Sequence, residues 1–258
     1  MPGCPKCSGT EIVKAGGLQA EKLWLLLYTL GLPMEVGRIM TKENNLMKHY
    51  WTEIGNTQDV NWHISHSNSQ EHFEKSGLTS LEKIFPDLNV LPEHSRVLEI
   101  GCGKGRILRW LARKRPDLRI FGIDVAPSMI TKAYQECDEL KNITFLIGDG
   151  ISLSLFPDDF FDYVFSFIVF QHLPRHIVQQ YIVETSRILK VTGILKFQLQ
   201  VRKEPQEVDP PWNDFRDIRF YTPRQAQALL GENFSPCGSP SLEADSMHDF
   251  FIEAKPNK

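Results

Sequence analysis

Apolar positions along this chain fall into two alternating patterns. Short, nearly unbroken apolar runs of strand length occur at residues 97–100, 119–124, 143–147, 161–167 and 193–199. Between them the apolar residues recur every three or four positions: Ile107, Leu108, Leu111 and Ala112 after the first run, Met129 within 127–140, and Ile177, Val178, Tyr181, Ile182, Ile188 and Leu189 after Pro174. Strand alternating with helix predicts a parallel sheet covered by helices. Farther on, Thr222-Pro223 caps a last helix through Leu230, and strands around Phe234 and over 248–254 predict a hairpin. Upstream of the first strand, 78–85 reads as a helix and 63–68 as a loop. Residues 18–32 are strongly apolar around Leu23-Trp24-Leu25-Leu26-Leu27-Tyr28 and end at Gly31 and Pro33, a length that suits a buried or partner-facing helix. A membrane span needs roughly 20 such residues.

The first strand runs into Glu99-Ile100-Gly101-Cys102-Gly103-Lys104-Gly105-Arg106, with glycine at alternate positions before a helical pattern. Such a loop lets backbone approach a ligand closely, and its amides face whatever sits above the strand's carboxyl end. A P-loop would close on Gly-Lys-Ser/Thr, which Gly103-Lys104-Gly105-Arg106 does not provide. The dinucleotide fingerprint G-x-G-x-x-G is missed because the third glycine comes one residue early. Asp124 ends the second strand 19 residues after Gly105, where a carboxylate can accept hydrogen bonds from both hydroxyls of a ribose. Asp149 ends the third strand, and Phe170-Gln171-His172-Leu173-Pro174 follows the fourth.

In this order the motifs resemble those of the class I S-adenosylmethionine-dependent methyltransferases, whose first motif is acid-x-Gly-x-Gly-x-Gly, and the segment at 170–174 resembles their small-molecule branch. The resemblance covers about residues 70–254. It implies a Rossmann-like α/β fold: a seven-stranded, mostly parallel sheet with helices on both faces, a C-terminal antiparallel hairpin and an N-terminal helical cap. It implies S-adenosylmethionine as cofactor, held by Glu99, Gly101, Cys102, Gly103, Gly105, Asp124, Val125, Met129, Asp149, Gly150 and Phe167. In that set Asp124 serves the ribose, Asp149 the adenine amino group, and Met129 packs on adenine. The chemistry implied is in-line attack by an O or N nucleophile of a small-molecule acceptor on a sulfonium methyl. His172 is the candidate catalytic residue, a general base placed where the acceptor approaches and titrating near neutral pH; the other reading is that it only shapes the pocket. Protein or RNA methylation and non-catalytic cofactor binding are the alternatives. The Asn/Asp-Pro-Pro-Tyr/Phe/Trp motif of many DNA methylases is absent from the fourth strand's end. Where the family has Pro-Gly-Gly before strand five, this chain has Val191-Thr192-Gly193, a change in turn geometry.

Composition changes this picture little. With 258 residues, 41% hydrophobic, and a formal net charge of -3, the chain has ample apolar content for a core and no global pull toward nucleic acid or an anionic membrane. No leader segment is expected at the start, and five sparse cysteines suit a reducing compartment, so the cytoplasm is the expected location. Three regions are expected: 1–16 as a Cys-x-x-Cys knuckle, 17–90 as the helical cap, and 91–258 as the cofactor-binding domain. Cys4 and Cys7 resemble half a zinc ribbon, but zinc takes four ligands and Cys102, Cys137 and Cys237 fall within the main domain, so no metal is expected. His63-x-x-His66 lacks a further ligand nearby, and Trp62 and Phe73 read as packing residues. Lys104, Arg106, Arg109, Arg113, Lys114, Arg115 and Arg119 read as a solvated basic face. The Pro-rich stretch 202–220, with Pro205, Pro210, Pro211, Trp212, Asp214 and Arg216, is a candidate acceptor loop. The oligomeric state is open.

Overall fold

A computed structural model of the chain describes residues 34–204, 210–211, 214–237 and 249–258. The Cys4/Cys7 pair, the apolar stretch 18–32, Pro205 and Trp212 lie outside the described residues. The chain forms two compact units, Met1–Asn45 and Leu46–Lys258, and the second contains the sheet. Among the described residues, three α-helices precede that sheet in the sequence: α1 (Met34–Asn56), α2 (Val60–Ser65) and α3 (Gln70–Ile84). No helix among the described residues is long and apolar enough to cross a membrane.

The sheet follows as β1 (Arg96–Ile100), α4 (Leu108–Lys114), β2 (Arg119–Asp124), α5 (Pro127–Glu136), β3 (Ile143–Ile147), β4 (Phe161–Ser166), α6 (Arg175–Ile188), β5 (Leu189–Val201), β6 (Phe220–Tyr221), α7 (Pro223–Ala228), β7 (Phe234–Pro236) and β8 (Asp249–Pro256). Its strand order is β3-β2-β1-β4-β5-β8-β7, with β6 paired to the end of β5. All pairs from β3 to β5 are parallel, whereas β8 runs antiparallel to both β5 and β7, forming the expected hairpin. The seven expected strands are present, and the two-residue β6 is an addition.

The centre of the sheet is buried on both faces. Val97 and Leu98 are neighbours, so they point to opposite sides, and both are fully buried. That is why the parallel strands read as continuous apolar runs rather than alternating ones. One face packs Val97, Ile120, Tyr163 and Phe165 against Leu81 and Ile84 of α3, Leu108 and Leu111 of α4, and Ile130 and Ala133 of α5. The chain leaves β1 toward β2 on one side, and β4 lies on the other, so a crevice opens beyond the carboxyl ends of β1 and β4.

Three local features depart from what the sequence suggested. Helix α3 starts at Gln70, with the Ser69 side chain accepting the His72 N–H, and continues through Gly77. Gly77 is there for contact: a Cβ at this position would stand 2.3 Å from the Arg106 carbonyl oxygen. The glycine thus lets the helix lie directly on the backbone that follows the glycine loop. Strand β5 begins at Leu189, at the end of α6, and bulges before Ile194, so Val191-Thr192-Gly193 lies within the strand. The stretch 63–68, expected as a loop, begins with the last turn of α2, closed by His66 in the left-handed region at φ 57°.

The basic residues of 104–119 do not form one solvated face. Lys104, Arg106 and Arg109 are buried. Lys104 pairs with Glu136 at 3.0 Å and Asn61 at 2.8 Å. Arg106 donates to Ser80 at 2.9 Å, and Arg109 ion-pairs with Glu136 at 2.5 Å. Phe73, fully buried as expected, lies under the cations of Lys104 and Arg109, whereas Trp62 is half exposed beside His63 and His66.

Candidate functional site

The glycine loop crosses the end of β2. Gly101 N–H donates to the Ile123 carbonyl at 2.8 Å, and Gly103 N–H donates to the Asp124 carboxylate at 2.9 Å. Gly101 has φ 76°, and a Cβ there would collide with the Val169 side chain at 2.4 Å, so only glycine fits between β1 and the segment after β4. Gly103, at φ 51°, differs: a Cβ there would meet nothing within 4 Å. Its open side faces a cavity that the loop lines.

Asp124 is half-buried at the same cavity. Its second oxygen accepts the Ala126 N–H at 2.9 Å, so backbone amides fix both ends of the carboxylate. Burial raises its pKa, and the amides of Ala126, Gly103 and Val125 counter part of that rise. Each oxygen keeps lone pairs for a ligand, which suits vicinal hydroxyls.

Glu99 is 2% exposed, and burial pushes its pKa up to about 8, against the pull of the Arg106 guanidinium and with a further push from Asp124. Its Oε2 is buried without a hydrogen-bond partner. Arg106 turns its donors to Ser76 and Ser80, and burial lowers its own pKa. An unpartnered carboxyl beside a cavity is costly in isolation and fits an incoming cation. This orphaned oxygen, the amide-fixed Asp124 and the open glycine floor together match an amino-acid ammonium, a ribose and a close backbone approach. The residues present therefore fit S-adenosylmethionine.

Of the residues expected at the site, Glu99, Gly101, Cys102, Gly103, Asp124, Val125, Met129, Phe167 and His172 line the cavity. Gly105, Asp149 and Gly150 do not. Gly105 is required by packing, since a Cβ would stand 2.9 Å from the Phe145 ring. Asp149 is exposed and accepts from Ile151 N–H at 2.8 Å and from Ser152 N–H at 2.7 Å, closing its own loop. Gly150 is buried, and a Cβ would press on Met47 at 2.6 Å. The cavity also has walls that sequence reasoning missed: Met47 and Trp51 from α1, His63 and Ile64 from α2, Ile168 and Val169 after β4, and Tyr181 from α6. For Trp51 and His63 the only signal available was an aromatic or histidine upstream of β1, which many residues there share. Among the described residues no cluster of three or more His, Cys, Asp or Glu is placed to hold a metal ion.

His172 closes a 3₁₀ turn (Phe170–His172) beyond β4, with the edge of Trp51 against its ring at 6.3 Å between centroids. Burial lowers its pKa, which keeps the ring neutral near pH 7, although the backbone at Asp217 and Arg216 partly favours its charged form. Nδ1 is buried with no partner at hydrogen-bond geometry. The preceding turn is strained: Ile168, a β-branched residue, sits at φ 57°, a conformation costing on the order of 1–3 kcal/mol. The loop expected as the acceptor loop is fastened here by Arg219, whose guanidinium donates to the carbonyls of His172 at 2.9 Å and Pro211 at 2.9 Å.

Residues 97–193 match a family described as a methyltransferase domain. The malonyl-[acyl-carrier protein] O-methyltransferase of Bacillus cytotoxicus is 33% identical over 143 residues, covering 55% of this chain and 47% of that protein. The 2-methyl-6-phytyl-1,4-hydroquinone methyltransferase of a Synechocystis species is 34% identical over 108 residues, covering 42% of this chain and 33% of that protein. The chain thus spans less than half the length of these curated relatives. Among solved structures, Haemonchus contortus phosphoethanolamine N-methyltransferase 1, in complex with phosphoethanolamine and S-adenosylhomocysteine, gives a TM-score of 0.61 at 18% identity, covering 83% of this chain and 49% of that one. A SAM-dependent methyltransferase from Aquifex aeolicus gives 0.53 at 18% identity, covering 78% of this chain and 97% of that one. These two likenesses establish the fold. The matched methyltransferase domain over residues 97–193, this strand order and a loop with this spacing support a class I S-adenosylmethionine-dependent methyltransferase domain in this chain.

Proposed function

We propose that the chain transfers a methyl group from S-adenosylmethionine to an O or N nucleophile of a small-molecule acceptor. One observation carries the reading: an unpartnered buried Glu99 carboxyl and an amide-fixed Asp124 flank the open side of Gly103 in a single cavity. When bound, the cofactor supplies an electrophilic sulfonium methyl. The chain's own residues then have to bind, align and exclude water. Glu99, Gly101, Cys102, Gly103, Asp124, Val125, Met129 and Phe167 make up the cofactor side, and Asp149 is assigned to the outer, adenine end. Trp51, Leu173 and Tyr181 give the cavity apolar wall, and His172 is the polar group set against the acceptor. Alignment of this kind contributes up to about 7–11 kcal/mol in ideal cases. The names of two curated relatives, a malonyl-[acyl-carrier protein] O-methyltransferase and a 2-methyl-6-phytyl-1,4-hydroquinone methyltransferase, support an O or C acceptor on a small group, and each matches more of this chain than the tRNA (guanine-N(7)-)-methyltransferase of Streptococcus mutans does.

Calorimetry comparing S-adenosylmethionine with NAD tests the cofactor, and release of S-adenosylhomocysteine with a panel of phenols, amines and carboxylic acids tests the transfer. Binding of the sulfonium and turnover with at least one acceptor are expected. Tight NAD binding without sulfonium binding would overturn the reading, and cofactor binding with no turnover on any acceptor would favour a binding protein. Asp124→Ala strips the acceptors from the Gly103 and Ala126 amides and from the ribose. Charged hydrogen bonds contribute about 1.5–3 kcal/mol each, so cofactor affinity should fall by at least about tenfold. Unchanged affinity in calorimetry would remove Asp124 from the site.

A further inference from the structure

The geometry points to Gln198 and Gln171 as positioning residues that hold the proton of His172 on Nδ1 and engage its Nε2 lone pair within the protein. His172 then meets an acceptor as a fixed neutral ring rather than as a base. This inference rests on the methyl-transfer reading for its consequence, but not for its geometry.

The relay starts from a group with only one possible role. The Ile168 backbone N–H donates, and it does so to Gln198 Oε1 at 3.1 Å. The two ends of an amide are alike in shape, but a backbone donor at one end leaves a single orientation. Gln198 Nε2 must therefore face away from Ile168, and it donates to Gln171 Oε1 at 3.0 Å. This orients the second amide in turn, placing Gln171 Nε2 at 3.1 Å from His172 Nε2. An amide nitrogen offers no lone pair, so His172 Nε2 accepts. A neutral imidazole carries one N–H, which is then on Nδ1.

Burial makes these orientations hard to exchange. Gln198 is 0% exposed and Gln171 is 4% exposed, so a flipped amide would leave donors facing donors in a dry interior. The backbone is held as well: Arg219 donates from its N–H to the Gln171 carbonyl at 2.8 Å and from its guanidinium to the His172 carbonyl at 2.9 Å. The charges near the ring are the Arg219 cation and the Asp217 carboxylate, which act in opposite directions on its protonation. With the lone pair engaged, an acceptor whose nucleophile is already unprotonated, such as a carboxylate, a phenolate or a free amine, is the class this cavity serves. With Nδ1 buried and Nε2 engaged, His172 shapes the approach of such an acceptor rather than exchanging a proton with it.

The test uses the full chain labelled with nitrogen-15 histidine, with the His172 signal assigned by its loss in His172→Asn. At pH 7 the unaltered chain should show a protonated Nδ1 and an unprotonated Nε2. In Gln171→Glu a carboxylate faces Nε2, so the proton should move there and the titration midpoint should rise by about one to three pH units. Gln198→Leu should release the Gln171 amide and give mixed tautomers. A protonated Nε2 in the unaltered chain, or an unmoved midpoint in a folded Gln171→Glu, would overturn the relay. The first measurement needs no relay variant, so misfolding of a variant cannot hide the answer. Titrating S-adenosylmethionine into the same sample separates the two ideas. No binding would sink methyl transfer and leave the tautomer result intact, whereas binding with a protonated Nε2 would sink only the relay.

Discussion

Gly103→Val is expected to abolish cofactor binding while leaving a folded protein. Gly103 has φ 51°, and its missing side chain leaves open space within 4 Å. A Cβ there would meet no neighbour within 4 Å, so the sheet and core have no reason to rearrange. Its cost to the fold is the backbone strain of a β-branched residue in the left-handed region, on the order of 1–3 kcal/mol. For a domain of this size that amounts to a fall of about 2–12 °C in the melting midpoint. Its cost to binding is larger, since the isopropyl group fills the approach to the amide that donates to Asp124. Calorimetry should detect no S-adenosylmethionine binding in a variant whose circular dichroism is unchanged. Retained affinity would mean that the cofactor lies elsewhere. Gly101→Val makes the contrast, because its Cβ would collide with Val169 at 2.4 Å and should cost folding first.

The second large effect is a dependence of cofactor affinity on pH that is set by Glu99. With its pKa pushed up to about 8 by burial, Glu99 is mostly protonated at neutral pH before a ligand arrives. Pairing with an ammonium requires the carboxylate, so binding must release a proton. Affinity should therefore climb about tenfold per pH unit below pH 8 and level off above it. In Glu99→Gln the slope should vanish, and binding above pH 8 should be weaker than in the unaltered chain. Stability moves the other way. A carboxyl whose folded pKa exceeds its usual 4.5 stabilises the fold fully at acid pH and loses that contribution as pH rises through about 8. The ligand-free Glu99→Gln protein should then melt higher than the unaltered one at pH 8 and above. Calorimetry at several pH values, with proton release read from buffers of different ionisation enthalpy, checks the first statement, and thermal melts check the second. A flat affinity profile in the unaltered chain would mean that no cation sits against Glu99.

How much of this was readable in the chain follows from what local pattern encodes. The runs at β1, β2, β3 and β4 and the spacing of Gly101, Gly103 and Gly105 are properties of neighbouring residues, and they translated directly into strands, a loop and a cavity floor. Asp124 was legible because a strand's last residue must stand at the crevice. Asp149 ends its strand in the same way, yet its carboxylate closes on Ser152, because side-chain direction is settled by local hydrogen bonds that spacing does not carry. Lys104, Arg106 and Arg109 looked solvated since their partners, Asn61, Ser76, Ser80 and Glu136, lie on other elements. Trp51, His63 and Tyr181 reach the cavity only through the packing of α1, α2 and α6, and nothing local distinguishes them from other side chains of their type.

The contact at Gly77 has a consequence for where this fold can be cut. Helix α3 lies on the carbonyl of Arg106, and Ser76 and Ser80 from that helix satisfy the Arg106 guanidinium. A fragment trimmed to start at β1 would keep the whole span that matches the methyltransferase family and still lose those serines, Asn61 and Phe73 at once. The guanidinium would then face water where it now meets hydroxyls, beside the buried Glu99 carboxyl whose charge it favours. The helix upstream of the sheet is thus part of the glycine loop's foundation, although it lies wholly outside the span that matches the family.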